Sequence, residues 1–162
     1  MGTGQMLLTI GAIMLLGSII LTTNRSLNNN SQVLLNTNIG LEEVSYATSI
    51  IEEATGKAFD AQTDTNDVNS TTQLTTANRL GPEYAGDLND FDDYNGKTFG
   101  PDSSLTTGVY FARTTVHYVA PPNFDDTLSA PSWFKKIDVT VWNKDVPDTV
   151  KMHAVIGYWY FR

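Results

Sequence analysis

The sequence predicts an α+β chain, with a long protruding N-terminal α-helix packed on a C-terminal antiparallel β-sheet head. Three observations predict it. An uncharged apolar run, Met6–Leu21, passes without proline into a one-sided stretch that ends near Ala58. The last third of the chain alternates with period two in β-branched and aromatic residues. Between them lies a Thr-, Asn-, Asp- and Gly-rich stretch with neither period. The expected divisions are 1–59 for the helix (apolar 6–21, amphipathic 24–58), 60–108 for polar and acidic connecting loops, and 109–162 for the sheet.

The helix is expected from Thr3 to Lys57. Thr22 and Thr23 follow the apolar run and can bond back to the helix, extending it. From there Leu27, Leu34, Leu41, Val44, Ile51 and Ala58 recur at heptad-like spacing, predicting one apolar stripe. The segment LEEVSYATSIIEEATGKAF is strongly helix-forming, whereas Asn28, Asn29, Asn30, Asn36, Asn38 and Gly40 are weak points. At 1.5 Å per residue the rod is roughly 80 Å long, more than a domain of this size can bury. Its first half therefore needs lipid or sister helices around it. Gly4, Gly11 and Ser18 repeat every seven positions and form a groove that admits a second backbone.

Three roles for the apolar run compete. A secretory signal peptide needs a basic n-region and an Ala-x-Ala-like site. Met1–Gln5 has no Lys or Arg, and LTTNRS follows the run. A membrane anchor needs about 20 apolar residues, and the run with its threonines approaches that. An assembly helix fits best, because the pattern continues past Asn30 where an anchor would end in a linker.

Residues 60–76 read as a polar surface loop. The segment NRLGPEYAGDLNDFDDYNGKTFG reads as an ordered loop, pinned by Tyr84, Phe91, Tyr94 and Phe99, with a tight turn at Asn95-Gly96. Three strands are expected. The first is GVYFARTTVHYVA. The second is WFKKIDVTVWN, with Trp133, Ile137, Val139 and Val141 on one face and Lys136, Asp138 and Thr140 on the other. The third is TVKMHAVIGYWYF, with Val150, Met152, Ala154, Ile156 and Tyr158 on one side. KDVPD joins the last two as a hairpin, while APPNFDDTLSAPS is too long and proline-rich for one.

The net charge is −8, and no acidic residue precedes Glu42. An acidic surface argues against a nucleic-acid partner, which requires clustered Lys and Arg. The absence of cysteine excludes disulfides and thiolate chemistry. His117 and His153 lie in expected strands, away from any nucleophile elbow or zinc helix. Asp92-Asp93 and Asp125-Asp126 lie in expected turns, where Asp serves the backbone. No enzyme activity and no cofactor are expected. Calcium is the one ion for which the chain offers a candidate set, Asp90, Asp92, Asp93 and Asn95. These are hard oxygen ligands beside a glycine turn, though without an EF-hand pattern; the competing reading is a solvated acidic turn.

The layout resembles the type IV pilins and the pseudopilins of type II secretion, and is closest in pattern to the minor pilins. QMLLTIGAIMLLGSIILTTNRS is similar to the apolar segment after their processing site. LNDFDDYNG, then VYFARTTVHYV, then WFKKIDVTVWN and TVKMHAVIGYW, is similar in order to their C-terminal part. The resemblance implies a homo-oligomeric helical filament outside the cell, whose subunits wait in the cytoplasmic membrane before assembly. It implies assembly through Gly4, Gln5, Met6, Leu7, Gly11, Leu15, Ser18 and Ile19, with Gly4 as the processing position. The family usually has glutamate at the fifth mature position. Gln5 occupies it if counting starts at Met1, and Thr9 does if cleavage follows Gly4. The alternatives are a minor or tip subunit, or a pseudopilin, that binds a partner or secretion substrate, and a single-pass anchored binding or enzymatic domain.

Overall fold

The computed structural model describes residues 2–161 except 65, 85, 103, 104 and 106, and the side chains up to residue 159. A single α-helix, α1, spans Thr3–Thr55 and is followed by a five-stranded antiparallel sheet. The chain divides into two compact units, residues 1–38 and 39–162.

In the first unit the helix carries its polar groups internally. Thr22 Oγ1 donates to Ser18 O at 2.8 Å and Thr23 Oγ1 to Ile19 O at 2.9 Å, as the sequence predicts. Ser18 Oγ and Thr9 Oγ1 donate to Leu15 O and Met6 O. No hydroxyl among these four is left without a partner, so they do not oppose an apolar surrounding.

The second unit contains the sheet and the last turns of α1. Strands β1 (Thr98–Asp102), β2 (Tyr110–Ala120), β4 (Phe134–Asn143) and β5 (Thr149–Gly157) lie in the order β1-β2-β4-β5, and β3 (Asn123–Leu128) also pairs with β2. The three expected strands are β2, β4 and β5. The other two were read as loop, because they are short, polar and contain or border proline. Both pair with β2 only, β1 near Tyr110–Arg113 and β3 near Tyr118–Ala120. A strand with one neighbour tolerates Pro and Asp that an interior strand excludes. APPNFDDTLSAPS thus begins with a tight turn at Pro121-Pro122 that sends β3 back along β2, and Asp125-Asp126 belong to that strand rather than to a turn.

The core lies between one sheet face and residues 39–55 of α1. Ala112, Val116, Ile137, Val139, Val141 and Ile156 line the sheet side. The helix side is Ile39, Glu43, Ala47, Ile50 and Ala54, at helical steps of three and four. This corrects the expected stripe: Leu27, Leu34, Leu41 and Val44 are exposed, and Ile51 is half-buried. The packed face is chosen by size. Ala47 and Ala54, both fully buried, let the helix backbone approach the sheet where leucines would hold it off.

The loop region is pinned by Phe91 and Tyr94, both fully buried, and by Phe99, whose ring stacks on Tyr94 at 6.1 Å. Tyr84 is 75% exposed and pins nothing. The turn at Asn95-Gly96 is present, with Gly96 at φ +72°. Gly100, at φ +104°, lies so close to β2 that a Cβ would come within 2.6 Å of Tyr110 O; only glycine fits there.

Candidate functional site

Two regions carry the residues singled out by the sequence. The first is the apolar half of α1. An 18-residue window of it has a mean hydropathy of 2.2 and none of that window is buried, so it is long and apolar enough to cross a membrane. Every residue from Gly2 to Asn38 is exposed. Helical geometry places Gly4, Leu7, Gly11, Leu15 and Ser18 within roughly a quarter-turn of one another. Ile19 stands at the margin of that sector, while Gln5 and Met6 face other sides. A Cβ at Gly4, Gly11 or Gly17 would meet nothing within 4 Å. Packing within this chain gives no reason for glycine at these positions.

The second region is the acidic loop, for which the sequence offers either a calcium set or a solvated turn. It is buried. Asp60, Asp92 and Asp93 are fully buried and Asp90 is 1% exposed. The organising group is Lys135, which no sequence expectation singled out. Its Nζ donates to Asp92 Oδ1 at 2.6 Å, Phe59 O at 2.7 Å and Asp60 Oδ2 at 2.9 Å. Three protons meet three acceptors, the complement of an ammonium ion. The rings of Phe59 and Tyr118 also flank Nζ, at 4.6 and 5.3 Å to the centroids. The signal was present in the period of β4. Lys135 has the same parity as Trp133, Ile137 and Val139, so the alternation carries it inward and its neighbour Lys136 toward Asp125 at 2.9 Å.

Each acid has a distinct backbone task. Asp60 caps the turn Ala61–Thr63 through Gln62 N and also accepts from Thr75 N. Asp90 Oδ1 accepts from Asp92 N and Asp93 N, at 2.9 and 3.2 Å. Asp93 Oδ2 accepts from Asn89 N and Asp90 N. Phe91 N donates to Ala58 O at 2.8 Å, tying the loop to the chain that leaves α1. Asn95 uses both ends of its amide, donating to Leu80 O and accepting from Val116 N, each at 2.9 Å. It is therefore not free to be an ion ligand in the way the sequence set suggests. Asp93 Oδ1 is buried without a partner, whereas the Asp90 and Asp92 carboxyls are hydrogen-bonded to each other. Among the described residues, Glu83, Asp90 and Asp92 bring one carboxylate oxygen each to within 4.8 Å of one another.

The electrostatics follow from burial. The Asp90 carboxyl is pushed up to about 8 by its burial first, then by the charge of Asp92 and a hydrogen bond to it, and by the charge of Asp93. Burial also raises Asp92, against the pull of Lys135. The folded chain thus holds a proton on Asp90 that the unfolded chain releases in the ordinary carboxylate range. Stability is expected to fall as pH rises from about 4 to about 8, at up to about 1.4 kcal/mol per pH unit for that proton. Denaturant melts across this range check it. Asp90→Asn should flatten the slope, and an unchanged slope would show that another group is responsible.

The remaining candidates have structural surroundings. His117, in β2, has Nε2 3.6 Å from Asp138 Oδ2, and burial lowers its pKa. His153 is exposed on β5. Glu43 is a second buried carboxyl that sequence reading missed. Its Oε1 accepts from Asn143 N at 3.1 Å, and burial raises its pKa.

No protein-family model, no curated protein and no solved structure matches this chain.

Proposed function

We propose that the chain is a structural subunit of an extracellular, type IV pilus-like filament. In this reading the apolar half-helices of many copies bundle in the core and the acidic sheet domains form the coat. One observation carries it. Eleven large apolar side chains between Met6 and Leu21 are each about half or more exposed, although they belong to one unbroken helix. Burying such a side chain contributes about 1.5–3 kcal/mol, so their combined burial is worth on the order of 20 kcal/mol per subunit. Lipid removes that surface from water before assembly and sister helices remove it afterwards. The acidic residues, all at or beyond Glu42, stay clear of the apolar segment.

The test begins with the full chain in detergent. On dilution below the micelle concentration, electron microscopy is expected to show filaments of uniform width, and mass spectrometry of them to show this chain alone. A chain that stays in membrane vesicles as a monomer, with no filaments under any such condition, would leave the single-pass anchor as the correct reading. Filaments in which the chain is a trace component would make it a minor or tip subunit.

A further inference from the structure

We propose that Lys135 and Asp92 become joined by an intramolecular amide bond, formed by the folded chain itself with loss of one water, a modification independent of the filament reading. The first argument is contact. Lys135 Nζ lies 2.6 Å from Asp92 Oδ1, and both side chains are fully buried. The carboxyl carbon is one bond beyond that oxygen, so the amine is within reach of it. Pairs held in this way react as though at effective molarities of roughly 10⁵–10⁸ M. The second argument is the surroundings. In water an amine and a carboxyl meet as ammonium and carboxylate and do not condense. Here the rings of Phe59 and Tyr118 flank Nζ, at 4.6 and 5.3 Å to the centroids. Burial removes the hydration that favours the charged pair over the neutral one. It also keeps out the solvent that would reverse the reaction.

The third argument is that two further acids stand where the reaction needs a base and an acid. Asp60 Oδ2 accepts from Nζ at 2.9 Å. Both Asp60 oxygens act as acceptors, from Gln62 N, Thr75 N and Thr75 Oγ1 as well, which makes Asp60 the base placed to take a proton from Nζ. On the other side, the Asp90 and Asp92 carboxyls are hydrogen-bonded to each other, which requires a proton on one of them. Asp90 carries it, since burial and its charged neighbours favour the protonated form. Asp90 is therefore an acid aimed at the group that must lose an oxygen. The step balances without an outside reagent. Asp60 takes one ammonium proton, and the freed lone pair forms the Nζ–Cγ bond to Asp92. Asp90 protonates one Asp92 oxygen as its bond to Cγ breaks. Nζ gives up two protons in all and the oxygen leaves with two as water, so Asp60 ends as carboxylate and Asp90 as acid, as each began. The remaining N–H has Phe59 O as its acceptor, at 2.7 Å. The bond spans 43 residues and ties the acidic loop to β4, where the competing reading is a permanent ion pair.

Mass separates the two. The full chain is purified in detergent, then fully denatured for intact mass spectrometry, with its N-terminal residue identified in the same spectra. It is expected to read one water less than its sequence requires. Protease digestion should release a branched peptide that joins the segment of Asp92 to that of Lys135. Lys135→Arg keeps the charge without the nucleophile and should read its full mass, whereas Lys136→Arg should keep the loss. Asp90→Asn retains the oxygen that accepts from Asp92 N and Asp93 N but has no acid proton to give. In freshly synthesised chain, its bond should form about 10²-fold more slowly than the parent's. The full sequence mass in the parent chain overturns the proposal, whatever the variants show. So does a water loss that digestion maps to other residues. Formation at the parental rate in Asp90→Asn overturns the part assigned to Asp90.

Discussion

Lys135→Met is expected to lower the unfolding free energy of the sheet domain by about 3–5 kcal/mol, the cost of leaving buried charges uncompensated. The side chain is fully buried and is the sole ammonium within reach of Asp60 and Asp92 among the described residues. Methionine has nearly the same length and flexibility, so lost volume is a minor contribution. The loss comes from two carboxylates that must then be buried unpaired or take up protons. Lys136→Met is the control, one residue away. Its ammonium pairs with Asp125, whose side chain is 83% exposed, and with Asp138 at 3.8 Å. Water can replace that partner, so a far smaller loss is expected. Guanidinium melts followed by tryptophan fluorescence compare the two. Equal losses in both variants would mean that the buried cluster has no special weight. Adding Asp92→Asn to Lys135→Met should restore part of the loss, because one unpaired charge is then removed.

Gly11→Leu should abolish filament formation while leaving the melting of the sheet domain unchanged. A Cβ at Gly11 meets nothing within 4 Å in the isolated chain, so the substitution has room. Leucine is also the better helix former, by somewhat less than 1 kcal/mol. The helix itself can only gain. If copies approach along the sector of Gly4, Gly11 and Ser18, a leucine there holds the backbones apart and removes the packing of the whole face. Gly17→Leu is the comparison, since it too has open space but lies off the seven-residue repeat. Filaments of normal width and yield from Gly11→Leu, seen by electron microscopy, would exclude packing through that sector. Loss with both variants would widen the contact to the full circumference of the helix.

Much of the fold was legible because it rests on periods. Three strands announced themselves by alternation, and α1 by the absence of any break between Thr3 and Thr55. What was not legible rests on exceptions to hydrophobicity. The helix packs through Ala47, Ala54 and Glu43 while Leu34 and Leu41 stay outside, so a stripe chosen by the largest side chains selected the wrong face. β1 and β3 were hidden because strands with one neighbour need no apolar alternation, as TFGPD and NFDDTL show. In the loop, the spacing of Asp90, Asp92 and Asp93 was visible but their burial was not. That burial depends on Lys135, far along the chain, on a strand whose other positions read as simple core. Glu83 joined the carboxylate group only through tertiary proximity, which no local pattern encodes.

The buried lysine also imposes an order on how the chain is made. Lys135 lies 75 residues after Asp60 and 43 after Asp92. At about 5–20 residues per second of synthesis, several seconds separate the emergence of the aspartates from that of their partner. During that interval the loop around Asp90–Asp93 has no reason to leave water. Helix α1 is by then complete, so the rod matures first and the sheet domain closes late, with β4 and then β5 as the segments that complete it. A nascent chain halted before residue 135 is expected to be helical at its start and open to proteases throughout the acidic loop.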